Sequence, residues 1–297
     1  MAPAWGTVTA RLTDLGFAAG WRLVRAVPES AARNVFDAGA RYAARGGGPA
    51  QLRQNLARVI GTDEVPDALM RASLASYARY WREAFRLPTM DLAMLGRQLA
   101  DTVYGQDNLD TALGAKRGAV LALPHSGNWD MAGVWLAQTH GTFATVAERL
   151  KPESLYRRFL DFREGLGFEV LPLSGGPRPP FEVLTERLRD NGVVCLMADR
   201  DLSRNGVPVQ FFGAATRMPA GPAKLAVETG AALLPAFCWF DGDGWGVQIH
   251  PPLDTGGGVG AVTQGLADRF ATDIATHPED WHMLQPQWLA DLPPREP

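Results

Sequence analysis

The chain has 297 residues, of which 46% are hydrophobic and 21% charged, proportions of a globular protein that exclude a disordered or fibrous chain. Its net charge of −3 gives no overall basic field of the kind that attracts nucleic acid, so we expect no nucleic-acid partner. Two cysteines, Cys195 and Cys238, are too few for a disulfide framework and lack the spacing of a metal site. A chain of this length suits one large domain or two small ones.

The first 30 residues are not expected to act as a signal peptide, because they lack a basic head and a long apolar core. No window reaches the ~18 uninterrupted apolar residues that a membrane-spanning helix needs. Between Leu12 and Val27, apolar residues recur at helical spacing around Trp21, Arg22 and Arg25, which is typical of a helix that lies on a membrane surface. The same pattern suits a helix packed on its own domain.

Charge is unevenly distributed along the chain. Residues 1–100 carry 13 arginines, no lysine and 8 acidic residues, whereas the remainder carries 16 basic and 24 acidic residues. The arginine-rich part indicates contact with an anionic membrane surface, although a solvated helical face would have the same composition. We therefore expect a monomeric, peripheral protein at the cytoplasmic face of the plasma membrane.

The hydrophobic periodicity changes near residue 110. Residues 1–110 are predicted to form a helical N-terminal layer, which includes helices over Gln51–Ile60 and Asp67–Arg86. Residues 111–297 alternate short apolar runs with amphipathic stretches, which predicts a single α/β domain with a central mixed sheet flanked by helices. The predicted strands are Ala119–Leu123, Phe143–Ala147, Glu169–Leu173, Val193–Ala198, Ala232–Phe240 and Trp245–His250, and the predicted helices are Trp129–His140, Pro152–Leu166, Pro179–Asp190, Pro219–Thr229 and Val259–Thr276.

Several enzyme motifs are absent from the sequence. There is no G-x-S-x-G nucleophile elbow and no phosphate-binding G-x-x-x-x-G-K-[ST] loop. The glycines of Gly242–Gly246 precede a predicted strand, so they indicate a turn and not a dinucleotide site. His277 and His282 lie five residues apart with Pro278 between them, which favours a structural role over zinc binding. We expect neither a metal nor a bound cofactor.

A histidine follows the first buried strand of the predicted sheet. Open α/β sheets bind ligands at the carboxyl ends of their strands, where His125 would lie. Asn128 can cap the next helix, and Asp130 falls in that helix's first turn. A carboxylate can hold a histidine in one tautomer as a general base, which would deprotonate a hydroxyl for attack on an acyl carbonyl. The spacing of His125 and Asp130 alone is weak evidence for a catalytic site, because a capped loop with an incidental histidine has the same pattern.

The segment Pro124–Asp130 resembles the H-x-x-x-x-D motif of glycerolipid-type acyltransferases, and more closely that of the bacterial lauroyl/myristoyl acyltransferases of lipid A synthesis. The resemblance covers nearly the whole chain and is strongest with the branch of that family that acylates phosphatidylinositol mannosides. Strings similar to that family lie at Val146–Lys151, Tyr156–Phe159, Arg163–Gly167, Asp199–Asp201, Val209–Gly213, Pro219–Ala223 and His282–Leu289.

The resemblance implies transfer of a fatty acyl group, expected to be palmitoyl, from acyl-CoA as co-substrate to the 6-hydroxyl of a mannose in a glycolipid acceptor. It implies His125 as the general base, with Asp130 and Asp199 as the other catalytic residues, and either carboxylate can be the partner that orients the histidine. Relatives are expected to carry a glutamate at the position of Asp199, just after the strand Val193–Ala198. The substrate-binding candidates are Glu148, Arg163, Asn128 and Arg200.

Two other function classes remain open. In a hydrolase or thioesterase the same histidine would activate water, and in a catalytically silent lipid-binding protein the fold would remain without the reaction. Within the acyltransferase class, the acceptor can also be another glycolipid or a lysophospholipid. Structural alternatives exist for the site residues as well. Glu148 can pair with Arg149 or cap the helix after Pro152, and Arg163 can be an exposed helical arginine. Asp199 can pair with Arg200 or Arg204.

Overall fold

A computed structural model describes residues 20–149, 153–201 and 205–292 of the protein. A helical stretch over residues 20–26 precedes the longer elements. The helices are α1 (Glu29–Ala43), α2 (Ala50–Ile60), α3 (Asp67–Arg86), α4 (Leu92–Ala100), α5 (Gln106–Gly114), α6 (Trp129–His140), α7 (Glu153–Glu164), α8 (Pro180–Arg189), α9 (Gly221–Thr229) and α10 (Gly258–Thr276). The strands are β1 (Val103–Tyr104), β2 (Ala119–Leu123), β3 (Phe143–Ala147), β4 (Phe168–Pro172), β5 (Val193–Met197), β6 (Val207–Phe211), β7 (Ala214–Met218), β8 (Ala232–Asp241) and β9 (Gly244–Ile249).

Strands of the described chain form one mixed sheet in the order β1-β9-β8-β2-β5-β3-β4. Strands β8, β2, β5, β3 and β4 run parallel, whereas β9 returns antiparallel to β8. Gly242, in the turn between β8 and β9, has a φ of 54°, the left-handed conformation that tight hairpin turns require. The prediction of a single α/β domain with a central mixed sheet is confirmed.

Most predicted elements lie within two residues of the observed ones, and three strands were not predicted. Strand β1 lies inside the region predicted to be helical, and the hairpin of β6 and β7 lies outside the main sheet. The hairpin was missed because its turn places Phe212 at a φ of 50° beside Gly213, without the Asn-Gly or Asp-Gly pair that marks such turns. The domain division at residue 110 stays a prediction.

The sheet separates two hydrophobic cores because successive side chains of a strand point to opposite faces. On β2, Val120 and Ala122 enter one core, which α8, α9 and α10 cover. Residues Ala119, Leu121 and Leu123 enter the other core, which α4, α5, α6 and α7 cover. Every residue of β2 is buried, as expected for a central strand of a parallel sheet.

The N-terminal helices are joined to the sheet through the C-terminal segment. A third apolar cluster, which includes Leu52, Leu56 and Met70, packs α1, α2 and α3 together. The amide of Asn55, fully buried on α2, donates to the backbone carbonyls of Met283 and Gln285. These contacts hold α2 and α3 against the segment that follows α10.

No helix among residues 20–149, 153–201 and 205–292 is long and apolar enough to cross a membrane. The helix predicted between Leu12 and Val27 lies partly outside the described residues, since residues 1–19 are not described. Within its described part, Trp21 is buried and its indole N–H donates to the carbonyl of Phe85 at 3.0 Å, whereas Leu23 is exposed. The prediction of membrane contact stays a prediction.

Candidate active site

Two polar side chains follow neighbouring strands at the carboxyl edge of the sheet. Strands β2 and β5 pair in parallel, with Leu123 opposite Met197. Two residues beyond each of these positions lie His125 and Asp199, so the strand register places the two residues side by side. This is the edge at which parallel sheets bind their ligands.

His125 and Asp199 are joined by two hydrogen bonds. The Nδ1 atom of His125 lies 2.6 Å from Oδ1 of Asp199, and the backbone N–H of His125 donates to Oδ2 at 3.0 Å. The indole N–H of Trp281 also donates to Oδ2, at 3.0 Å. The aspartate reaches the histidine although it is one methylene shorter than the expected glutamate, because β2 and β5 are adjacent.

The environment of Asp199 keeps its carboxylate ionised. Its side chain is fully buried, and burial opposes the charge. The charge and hydrogen bond of His125 and the N–H of Trp281 outweigh this effect and hold the pKa of Asp199 below its ordinary value. An ionised carboxylate that accepts from Nδ1–H leaves Nε2 of His125 as the basic nitrogen, and the His125 side chain is 32% exposed.

Asp130 makes its hydrogen bonds to Tyr80 and Arg163 and makes none to His125. It lies in the first turn of α6, where Nε of Arg163 donates to Oδ1 at 3.0 Å and the Tyr80 hydroxyl donates to Oδ2 at 3.2 Å. Burial and the charge of Asp130 raise the pKa of Tyr80 well above its ordinary value, so that hydroxyl keeps its proton. The charge of the buried carboxylate is therefore balanced by a half-buried arginine on α7.

Asn128 uses both ends of its amide within the protein. Its Oδ1 accepts from the backbone N–H of Met131 at 3.2 Å, which caps α6, and its Nδ2 donates to Glu83 at 2.8 Å. Glu83 in turn accepts from Arg79 and from the indole of Trp245. This network joins the start of α6 to α3 and β9, and the substrate-binding role of Asn128 stays a prediction.

Glu148 and Arg200 follow β3 and β5, which are neighbours in the sheet. Glu148 is exposed and Arg200 is half-buried. Neither side chain forms a hydrogen bond or an ion pair with another described residue. Both residues therefore follow strand ends at the same edge of the sheet as His125, and their roles in substrate binding stay predictions.

The segment that follows α10 contributes residues to the site that sequence reasoning missed. The N–H of His282 donates to the carbonyl of His125 at 2.7 Å, and the N–H of Gly127 donates to the carbonyl of Asp280 at 2.9 Å. Between them, Trp281 is fully buried and reaches Asp199. The similarity of His282–Leu289 to the family marked this segment, although nothing in the string indicates which residues it contacts.

His282 is buried beside His125 and bonded to a serine of α3. Its Nε2 lies 2.9 Å from Oγ of Ser76, and that hydroxyl donates to Asp280 at 2.6 Å. Burial, followed by the nearby His125, lowers the pKa of His282 to about 3, so the ring is neutral. Its Nδ1 has no hydrogen-bond partner among the described residues.

One group of side chains in the described ranges has the composition of a metal site. Ligand atoms of His277, Glu279 and Asp280 lie within 4.8 Å of one another. Both oxygens of Asp280 accept hydrogen bonds, from Ser76 and from the backbone N–H of Phe240. These bonds compete with a metal for the carboxylate, and the expectation of no metal stays a prediction.

A narrow cavity of about 80 Å³ lies between the sheet and α6. Trp129, Asp130 and Arg163 line it, together with apolar side chains of β2, β5, β8 and β9. Gly133 on α6 also lines it, and a Cβ there would lie 2.5 Å from the ring of Phe168. The cavity therefore combines one charged pair with predominantly apolar walls, and its volume lies below the ~300–1,000 Å³ of ordinary ligand pockets, so it holds only part of an extended acyl chain.

Comparisons with known proteins identify the family. The model of the bacterial lipid A biosynthesis acyltransferase family matches residues 8–290. The phosphatidylinositol mannoside acyltransferase of Mycolicibacterium smegmatis is 72% identical over 285 residues, which are 95% of this chain and 93% of that protein. The enzyme of the same name from Mycobacterium tuberculosis is 71% identical over 289 residues, 96% of this chain and 92% of that protein. The chain belongs to the lipid A biosynthesis acyltransferase family, and it is an acyltransferase.

Proposed function

We propose that the protein transfers a fatty acyl group, palmitoyl in the first instance, from acyl-CoA to the 6-hydroxyl of a mannose in a phosphatidylinositol mannoside. The acceptor is taken from the name of relatives that are 71–72% identical over nearly the whole chain. The observation that carries the chemistry is the 2.6 Å contact between His125 and the buried Asp199 at the carboxyl edge of the sheet.

His125 acts as the general base of a direct transfer. Its Nε2 takes the proton of the mannose hydroxyl while the oxygen attacks the thioester carbonyl carbon. The tetrahedral intermediate then collapses, the carbon–sulfur bond breaks, and the imidazolium returns the proton to the leaving CoA sulfur. Asp199 holds the required tautomer and stabilises the imidazolium. No acyl-enzyme intermediate is formed.

The pair of Asp130 and Arg163 acts at the entrance of the cavity, with the acyl chain lying against the apolar walls beyond it. Arg163 is held by Asp130, so its guanidinium has a fixed orientation beside the cavity. A fixed donor of this kind stabilises the developing oxyanion without reorganising during the reaction. Glu148 and Arg200 bind hydroxyls of the acceptor from the neighbouring strand ends.

The enzyme works as a monomer at the cytoplasmic face of the membrane, without a cofactor or a metal. The arginine-rich composition of residues 1–100 supports electrostatic attraction to anionic lipids. Sedimentation with vesicles measures this directly, and equal binding to neutral and anionic vesicles would remove the electrostatic proposal. Size-exclusion chromatography with light scattering tests the oligomeric state.

Acyl transfer from radiolabelled palmitoyl-CoA, with and without phosphatidylinositol dimannoside, tests the function. His125→Ala should lower the rate by at least ~10²-fold, the usual contribution of a general base. His140→Ala is the matched control, because His140 pairs with Asp110 at the far end of α6. CoA release that ignores the acceptor would identify a thioesterase, and binding of lipid without turnover would favour a silent lipid-binding protein. Lysophospholipid and other glycolipid acceptors, assayed in parallel, test the identity of the acceptor.

A further inference from the structure

A second and larger cavity, of about 430 Å³, lies between the helical stretch over residues 20–26 and α7. Arg22, Arg25 and Arg158 line it, together with the apolar surfaces of Trp21 and Phe162. The cavity therefore combines basic groups with an apolar wall, a combination that suits an anionic amphiphile.

The backbone that carries Arg22 and Arg25 is held in place by a docked aromatic side chain. Trp21 is buried, its indole donates to the carbonyl of Phe85, and its ring lies 5.1 Å from that of Phe159 and 5.9 Å from that of Phe162. Because Trp21 fixes the stretch against α3 and α7, Arg22 and Arg25 occupy defined positions at the cavity. This restraint lowers the entropic cost of bringing their positive charges together around a ligand.

Basic residues outnumber acidic ones around the cavity. Asp161 is the one acidic residue among the described residues that line it, against three arginines. Arg25 is partly buried, its Nε donates to the backbone carbonyl of Phe85 at 2.9 Å, and its guanidinium lies over the Trp21 ring. Burial lowers the pKa of Arg25, so an anion bound beside it would relieve the cost of a partly desolvated cation.

We propose that this cavity binds the phosphate of an inositol phospholipid, with the lipid stem against Trp21 and Phe162. Arginine is suited to this role because its planar fork donates parallel hydrogen bonds to phosphate oxygens. The choice of an inositol lipid rests on the proposed function, because a phosphatidylinositol mannoside carries this phosphate. Phe162 precedes Arg163 on α7, and Arg163 lines the acyl cavity. Neighbouring residues of α7 therefore line the two cavities, and the inositol and mannose would span the distance from one cavity to the other.

Binding of the full chain to vesicles tests the proposal without requiring catalysis. Vesicles of phosphatidylcholine, with and without phosphatidylinositol, are sedimented with the wild type and with Arg22→Gln/Arg25→Gln. The control, Arg41→Gln/Arg45→Gln, removes the same charge from exposed positions near the end of α1, outside the cavity. The cavity variant should bind phosphatidylinositol vesicles about tenfold more weakly, the effect of losing a charged hydrogen bond. The control variant should lose clearly less binding than the cavity variant, because it removes the same diffuse charge and leaves the cavity intact.

Kinetics provide a second measurement. In the cavity variant, KM for the mannoside acceptor should rise by about the same factor while kcat stays unchanged, since these arginines do not contact the reacting atoms. The single variant Arg22→Gln, at an exposed position, should show the same direction and guards against misfolding.

Three results would overturn the proposal. Equal losses in the cavity and control variants would mean that diffuse charge attracts the membrane. A loss of CoA affinity with lipid binding intact would assign the phosphate to the acyl donor. Displacement of lipid by inorganic phosphate at the same concentration would indicate a free-phosphate site. Vesicle binding that depends on the arginines but is accompanied by no acyl transfer would leave the cavity in place and remove only the proposed function.

Discussion

The substitution Asp199→Asn should change the tautomer of His125 and leave the shape of the site nearly unchanged. In the wild type, Oδ2 of Asp199 accepts from two donors, the His125 backbone N–H and the Trp281 indole N–H, while Oδ1 faces Nδ1. An asparagine must place its carbonyl oxygen at the position with two donors, because its NH₂ group would meet two N–H groups there. Its NH₂ group then faces Nδ1 of His125 and donates to it.

The consequence is the wrong tautomer. Nδ1 becomes the acceptor, so the ring proton moves to Nε2, and the nitrogen that faces the substrate can no longer take a proton. We expect kcat to fall by ~10²–10⁴-fold, the range attributed to a lost general base, with a smaller change in KM. Because asparagine has nearly the shape of aspartate, packing around the buried side chain should remain.

Initial rates at saturating palmitoyl-CoA and acceptor measure this effect. Asp273→Asn is the matched control, because Asp273 lies on α10 and forms a similar pair with His250, at 2.9 Å, outside the site. If Asp199→Asn retains more than about one-tenth of the wild-type kcat, the tautomer argument is wrong. Equal losses in both variants, with lowered thermal stability, would indicate a general structural effect.

Three further predictions concern the surroundings of the dyad. Trp281→Phe removes a donor to the ionised Asp199 and should lower kcat by about tenfold at unchanged KM, whereas Trp288→Phe, whose indole donates to a backbone carbonyl, should leave kcat unaffected. His282, with a pKa of about 3, stays neutral in the folded state, while the unfolded chain binds a proton at this residue below about pH 6.5. The free energy of unfolding should therefore fall as the pH falls from about 6.5 to about 3. In urea titrations, the dependence of this free energy on pH should be shallower in His282→Gln by up to about 1.4 kcal/mol per pH unit. Gly133→Ala displaces the ring of Phe168 at the cavity and should lower kcat/KM for palmitoyl-CoA relative to shorter acyl-CoAs. Gly114→Ala is the control, because a Cβ at Gly114 would meet no atom within 4 Å.

A different result would refute each of these three predictions. A kcat loss in Trp288→Phe as large as in Trp281→Phe would assign the effect to general packing. Parallel pH dependences of the wild type and His282→Gln would show that another group sets the acid sensitivity. An unchanged acyl-length preference in Gly133→Ala would place the acyl chain elsewhere.

The main features of the sheet were predictable because they depend on local patterns. Short buried apolar runs such as Ala119–Leu123, set between turn signals, favour central strands, and the turn at Gly242 favours a hairpin return of the next strand. The expectation that His125 and Asp199 belong to one site followed from the family resemblance and from their positions after buried strands. The contact itself depends on β2 lying beside β5, a pairing that no local pattern specifies.

The C-terminal contribution was not predictable from local patterns. Trp281 and His282 are separated from His125 by more than 150 residues, and their contacts depend on where α10 ends. The short 3-10 turn after α10 places Asp280 against the Ser76 hydroxyl and the Gly127 backbone. Hydrophobic periodicity carries no information about contacts of this kind, since each involves a single polar group.

The H-x-x-x-x-D motif combines two separate structural requirements. His125 follows the end of β2, and Asp199, which follows the neighbouring strand β5, forms a hydrogen bond with its ring. The aspartate must fall in the first turn of the following helix, where backbone N–H groups favour a carboxylate. Because Asp130 is buried, its charge then requires Arg163, which is held beside the cavity as a result. The spacing of the motif thus places His125 and an oriented Arg163 at the same edge of the sheet, although His125 and Asp130 do not form a hydrogen bond with each other.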